Sequence, residues 1–304
     1  MKNGKRAVVT GGAGFIGSHV VDALIADGYD VFVVDNMLAG KRERVNPRAT
    51  LLEEDVRDTA RLEEIFQEGD SIFHLAAHPS VPYSILHPEE TNDINVGGTL
   101  SVLLAARKVG ARRIVYSASS AVYGNNEALP LHEGLLAEPV NPYGIQKYTG
   151  EHYLRVHSML HGLETVSLRY FNVYGPRMNL EGPYAAVIGA FIRHRKQGLP
   201  LPVIGDGGQT RDFVYVEDVA RANLLAMQSP LVGKGESINI GTGKGISIQQ
   251  LAEIIGGDIE YKDAIDEIRH SRADNTKAKQ LLKWEPSVDF DDGMRTVLAE
   301  WGLL

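Results

Sequence analysis

The stretch NPYGIQKYTGEHY, Asn141 to Tyr153, sets a phenol at Tyr143 and an ammonium at Lys147 four residues apart, behind an Asn-Pro pair. Asn141 suits a helix N-cap and Pro142 the first helical position. No further proline follows until past His161, so the two side chains are expected on one helical face. A phenol titrates near ~10 when unperturbed, and a neighbouring cation favours its ionised form. The pair therefore reads as a general base brought toward neutral pH by its lysine. Taken alone, the same spacing also fits an exposed Tyr and Lys on a solvated helix. Upstream, IVYSASSAVYG ends an apolar run with Ser117, Ser119 and Ser120. Hydroxyls at a strand's carboxyl end face the ligand crevice of a doubly wound sheet and can bond Tyr143 and a substrate alcohol. They can also serve only local turns.

A second constellation lies near the N-terminus. TGGAGFIG holds Gly11, Gly14 and Gly17 between an apolar run and a helix-periodic stretch, with Phe15 and Ile16 opening the helix. Glycines there permit a tight turn and close backbone approach, and the helix N-terminus favours a pyrophosphate. Asp35 ends the next apolar run, where a carboxylate bonds the ribose hydroxyls of a dinucleotide and repels a 2′-phosphate. This favours NAD over NADP, against a small counterweight from Lys41 and Arg42.

These residues need a frame. Arg6–Thr10, Val31–Val34, Thr50–Leu52, Ser71–Ala76, Arg113–Ser117 and Thr165–Tyr170 read as strands. Helical stretches fall at Phe15 to Ala26 and at about 59–67, 92–108 and 142–160. The alternation predicts an α/β fold, a doubly wound parallel sheet with helices on both faces. After Tyr170 the rhythm changes to Pro/Gly-rich loops, with helices at about 184–197, 217–228, 247–255, 274–283 and 290–301. We read residues 1–172 as a dinucleotide-binding domain to which the chain returns at about 212–242, and 173–304 as mainly a smaller substrate-binding lobe.

Composition narrows the class. The 304 residues carry a formal net charge of -8 and no Cys, which argues against non-specific nucleic-acid binding, disulfides and thiolate chemistry. The start MKNGKRAVVTGG does not read as a signal peptide, and no apolar run approaches ~18 residues, so a cytoplasmic protein without a membrane span is expected. No metal site is expected. His157 and His161 sit four apart without a third ligand, and GTGKG at Gly241–Gly245 lacks P-loop spacing and reads as a turn. Trp284 and Trp301 read as packing residues.

Taken together, these motifs resemble the extended short-chain dehydrogenase/reductase family along nearly the whole chain. The resemblance is greatest to its nucleotide-sugar 4-epimerases, the UDP-galactose 4-epimerase type. It implies an isomerase that inverts carbon 4 of a UDP-hexose or UDP-N-acetylhexosamine through a 4-keto intermediate, with NAD as a resident cofactor. Ser119, Tyr143 and Lys147 would be catalytic. The glycine signature matches Gly11, Gly14 and Gly17, the adenosine side Asp35, Asn36, Asp55 and Val56, and the strand end beside the cofactor Leu75, Ala76 and Ala77. Asn95 would lie by the nicotinamide ribose and Tyr170 by the nicotinamide, with Ser117 also in the cofactor site. Asn172, Arg211 and Ser271 would meet the sugar nucleotide, with Ser271 small enough beside the sugar to admit an N-acetyl group. A homodimer through the helices near 92–108 and 142–160 is also implied. Related dehydratases and decarboxylases carry an acid just before VYG, where this chain has Ala121. One departure is Ala264, which replaces the family's diphosphate-binding arginine in a loop that also holds Asp263, Asp266 and Glu267. Arg269 or Arg272 would have to substitute. Two other readings remain, a uronic-acid 4-epimerase or other nucleotide-sugar oxidoreductase on the same scaffold, and a non-catalytic NAD-binding sensor.

Overall fold

The structure is a computed structural model that describes residues 5–180, 187–264 and 268–304. The start of the helix expected near 184, and Asp266 and Glu267, lie outside the described residues. Short apolar runs form β1 (Arg6–Thr10), β2 (Asp30–Val34), β3 (Thr50–Leu52), β4 (Ser71–His74), β5 (Arg113–Ser119) and β6 (Glu164–Tyr170). Between them run α1 (Phe15–Ala26), α2 (Thr59–Ile65), α3 (Val81–Leu86), α4 (Pro88–Asn92), α5 (Gly98–Val109) and α6 (Pro142–His161). The later strands are β7 (Asn172–Tyr174), β8 (Leu201–Ile204), β9 (Thr210–Arg211), β10 (Phe213–Tyr215), β11 (Lys234–Ile240), β12 (Ile246–Ser247) and β13 (Ile259–Lys262). The later helices are α7 (Val187–Lys196), α8 (Val216–Gln228), α9 (Ile248–Ile255), α10 (Thr276–Leu282) and α11 (Phe290–Glu300).

Seven strands form one parallel sheet in the order β11-β6-β5-β4-β1-β2-β3. The order reverses between β1 and β4, the topological switch point at which such sheets bind ligands. Its two faces bury separate apolar layers. Val20, Val21 and Leu24 of α1 join Val219 and Ala222 of α8 on one side, while Leu62, Val102, Leu103 and Leu154 cover the other. A further core, with Phe191, Leu201, Leu251 and Val297, joins α7, α9 and α11 to β8.

Polar clamps fix the edge of the sheet. Buried Arg113 donates to the carbonyls of Ala226, Met227 and Ser229 at 2.7–3.0 Å, a cation set against the end of α8. Arg169 forks onto Glu151 of α6, and Ser237 of β11 donates to the same carboxylate at 2.8 Å. Both carboxylate oxygens of Glu151 thus accept hydrogen bonds, which lowers the cost of burying the pair, although Arg169 Nη1 is buried without a partner among the described residues.

Two expected elements differ. Residues 92–108 are not one α-helix, because Asp93–Gly97 forms a π-helical turn before α5. Thr99 donates to the Asn95 carbonyl at 2.6 Å there, a side-chain bond that competes with the regular ladder. Strand β4 stops at His74 rather than Ala76, because Ala76 closes onto the Thr10 hydroxyl at 3.3 Å instead of continuing a ladder.

Candidate active site

The glycine turn is shaped by what a side chain would hit. Gly11 has φ 72, and a Cβ on it would lie 2.6 Å from the Ala76 backbone nitrogen. A Cβ on Gly17 would meet the Gly11 carbonyl at 2.1 Å. The turn delivers α1 with Gly14 as its N-cap and no side chain capping it, so its first N–H groups face outward for an anion. Phe15 packs toward the C-terminal core and Ile16 toward the sheet core.

Asp35 is buried, accepting from Ala13 N at 3.0 Å and Met37 N at 2.9 Å. Each oxygen keeps a lone pair for a ribose hydroxyl. Asn36 donates to Asp55 at 3.1 Å, and Arg57 grips the same carboxylate and holds its pKa well below the usual range. Val56 is buried beneath α5, and Leu75 and Ala76 pack at the sheet's rim, next to Ala77. The arrangement fits a dinucleotide: a close-approach glycine turn, an uncapped helix start and a carboxylate at the end of β2.

Helix α6 can carry Tyr143 and Lys147 against β5 because of its small residues. Asn141 accepts from Gly144 N at 2.8 Å, as an N-cap should. A Cβ on Gly144 would sit 2.8 Å from the Ala121 carbonyl, and one on Gly150 2.4 Å from the Tyr116 hydroxyl. The glycines let the Tyr143–Lys147 face lie flat against the end of β5. Ser119 hydrogen-bonds the Tyr143 hydroxyl. Lys147 is 2% exposed, with Nζ 2.8 Å from the Ser117 carbonyl and 5.9 Å from the Tyr143 ring centroid.

The electrostatics correct the expectation that the lysine makes Tyr143 acidic. Tyr143 is half-buried, yet desolvation pushes it up to about 12, with Ser119 pulling the other way. Burial pushes Lys147 down to about 7. Desolvation disfavours both charged forms and outweighs their mutual attraction in the protein alone.

Asn95 is 1% exposed, and its amide is engaged inside the protein. It accepts from His78 N at 2.7 Å and donates to Gln146 at 2.7 Å. Its visible task is to tie the loop after β4 to α6. Tyr170 points its hydroxyl at Asn223 of α8, 2.9 Å away, and also bonds the Ser117 side chain. A further buried chain was not read from the sequence: His74 bridges Thr10 (2.7 Å) and Thr99 (2.9 Å) beneath the switch point. Burial, with a push from Lys147, lowers His74 to about 3, so it is neutral. The available signal was a lone histidine inside an apolar strand.

Asn172 and Arg211 line one cavity of about 390 Å³, together with Met178, Ile188, Gln209 and Phe213. Ser271 is not in that lining, but it is buried beside it, donating its N–H to the Thr210 carbonyl at 3.1 Å. Ala264 is exposed, Arg269 pairs with Asp206 at 2.8 Å, and Arg272 is exposed with its carbonyl bound by Leu131 N. Ala121 adjoins Gly144, so the residue at that corner is an alanine rather than an acid. Among the described residues, no group of His, Asp and Glu could hold a metal ion. His161 instead meets Arg107 at 3.0 Å. No described helix is long and apolar enough to cross a membrane.

Comparison with known proteins gives the family and the fold. The model of the NAD dependent epimerase/dehydratase family matches residues 7–241. A UDP-glucose 4-epimerase of Mycolicibacterium smegmatis is 36% identical over 307 residues, covering 95% of this chain and 96% of its own. The structure of a Thermotoga maritima UDP-glucose 4-epimerase with UDP-glucose superposes with a TM-score of 0.92 at 41% identity, over 98% of both chains. A Methanobrevibacter ruminantium UDP-N-acetylglucosamine 4-epimerase in complex with UDP-N-acetylmuramic acid gives 0.93 at 40% identity, over 99% of both.

Proposed function

Since the chain belongs to the NAD dependent epimerase/dehydratase family, we propose that it is an NAD-dependent epimerase inverting carbon 4 of a UDP-hexose or UDP-N-acetylhexosamine. The observation that carries this reading is the meeting of Ser119, Tyr143 and Lys147 at the carboxyl end of β5, beside the switch point. A protein that only sensed NAD would need no buried base of this kind. The similar structures with UDP-glucose and UDP-N-acetylmuramic acid support a UDP-linked substrate.

Gly11, Gly14 and Gly17 would hold the diphosphate at the start of α1, and Asp35 the adenosine ribose. NAD, when bound, supplies the hydride acceptor and later donor, and a positive ring that favours the Tyr143 phenolate. Tyr143 takes the proton from the 4-hydroxyl, with Ser119 sharing that hydrogen bond and orienting the sugar. Lys147 keeps its Nζ on the Ser117 carbonyl and would hydrogen-bond the cofactor's nicotinamide ribose. Tyr143 returns the proton after the 4-keto sugar has turned, so the cofactor ends as it began. Asn172 and Arg211 hold the nucleotide while the sugar turns.

Ala121 beside Gly144 supports epimerisation over dehydration or decarboxylation, which need a further carboxylate there. The small Ser271 supports acceptance of N-acetylated sugars. Exposed Val156, Met159 and Leu160 of α6 support a homodimer through the helices near 92–108 and 142–160. The test is turnover of UDP-galactose and UDP-N-acetylgalactosamine by the wild type and by Tyr143→Phe.

A further inference from the structure

A second cavity, of about 630 Å³, opens between the loop after β2, the loop around Arg177, α7 and the end of α11. Its wall brings together five cations: Lys41, Arg44, Arg177, Arg193 and Lys196. The carboxylates of the same wall are Glu43 and Glu300. The chain as a whole has a net charge of -8, so this concavity reverses the sign of the molecule locally. None of the residues proposed to hold cofactor or sugar nucleotide lines it, and only Met178 is shared with the cavity of Asn172 and Arg211.

The cations are held together by other parts of the fold. Arg177 has φ 64, a left-handed conformation uncommon for a side-chain-bearing residue. Its N–H donates to Glu300 at 3.1 Å and its Nη2 to Asp22 at 2.7 Å. Backbone held in this way tends to mark a functional position. Lys196 places its ammonium 5.0 Å from the Trp301 ring centroid. Arg44 is pushed down by burial, with Arg177 adding to that and Glu43 opposing it. Two donors of the wall, Arg177 Nη1 and Trp301 Nε1, are buried without a hydrogen-bond partner among the described residues.

We infer that this cavity binds a small phosphate-bearing anion at a site separate from the catalytic cleft. Forked guanidinium groups match phosphate oxygens in geometry and charge. The volume lies within the range of small-molecule pockets, which suits a phosphate ester or a short polyphosphate rather than a single ion.

Trp301 supplies the readout, since the only other tryptophan, Trp284, is 0% exposed. Holoprotein saturated with NAD and UDP, so that the catalytic cleft is filled, is titrated with inorganic tripolyphosphate and, separately, with glucose 1-phosphate. A saturable change in emission is expected from at least one probe, absent in Trp301→Phe, while calorimetry on Trp301→Phe still records binding. Arg44→Ala combined with Lys196→Ala should weaken the affinity by about tenfold or more with turnover unchanged. Lys196→Glu alone, at an exposed helical position, gives the same direction should the double variant fold poorly. Tighter binding of glucose 1-phosphate makes this a phosphate-ester site, and tighter binding of tripolyphosphate a polyphosphate site. No saturable signal and no heat from either probe at millimolar concentration, or equal affinity in the charge variants, overturns the inference.

Discussion

At the scale of single residues, the proposed chemistry rests on a phenol and an amine that burial drives toward their neutral forms. Lys147 falls from 10.5 to about 7 in the folded protein. Between pH 7 and 10 an unfolded chain keeps a proton on this lysine that the folded one has lost, so stability rises with pH across that window. We predict that Lys147→Met flattens this rise in cofactor-free protein. It should also raise stability at pH 7, by at most on the order of 4 kcal/mol. Denaturant unfolding at pH 7 and pH 9 measures both effects, and an unchanged pH slope would count against the buried amine. Tyr143→Phe should cut turnover by roughly 100-fold or more, the scale of a lost general base, with NAD still bound. Ser271→Tyr should abolish activity on N-acetylated sugars and spare plain hexoses, because the added ring overfills a site already packed beside Thr210. Measured product ratios for the two substrate classes decide this. The Tyr-Lys spacing was legible in the sequence because a helix fixes which residues share a face. The direction of their pKa values was not, because desolvation depends on β5 and the loop after β4 closing over them.

At the scale of elements, the glycines were the most legible signals. Gly11 and Gly17 leave no room for a Cβ, and that demand is local enough to read from a strand, a turn and a helix start. Gly17→Val should therefore abolish NAD retention while the far-UV circular dichroism stays near wild type. Retention of stoichiometric NAD by that variant would contradict the close-approach account. Gly144 and Gly150 carried no such local signal, since their neighbours, the Ala121 carbonyl and the Tyr116 ring, come from distant sequence. The GTGKG loop after β11 shows the same limit. Its shape is set by Asp212, whose carboxylate takes the N–H groups of Thr242, Gly243 and Ala273 at 2.7–2.9 Å. The π-helical turn at Asp93–Gly97 was hidden too, because it depends on the Thr99 side chain finding the Asn95 carbonyl.

At the scale of the whole molecule, the parallel sheet followed from the alternation of short apolar runs with helical stretches. Its outer strand, β11, pairs with β6 across a long stretch of intervening chain, and Arg113 locks the crossover helix α8 at its end. Two cavities sharing Met178 sit beyond this sheet, one lined by Asn172 and Arg211 and one by five cations. Neither cavity could be drawn from the sequence, although Asn172 and Arg211 of the first were named by the resemblance of their motifs. A cofactor regenerated in every cycle has no need to leave. The central claim is tested most directly by incubating the purified protein with UDP-galactose and UDP-N-acetylgalactosamine, with no cofactor added, and following the sugar proton on carbon 4 by NMR. The account predicts conversion of at least one to an equilibrium mixture of its 4-epimers, without net formation of NADH. No inversion of either sugar by protein shown to contain NAD, or stoichiometric NADH and an oxidised sugar as the end product, would contradict it.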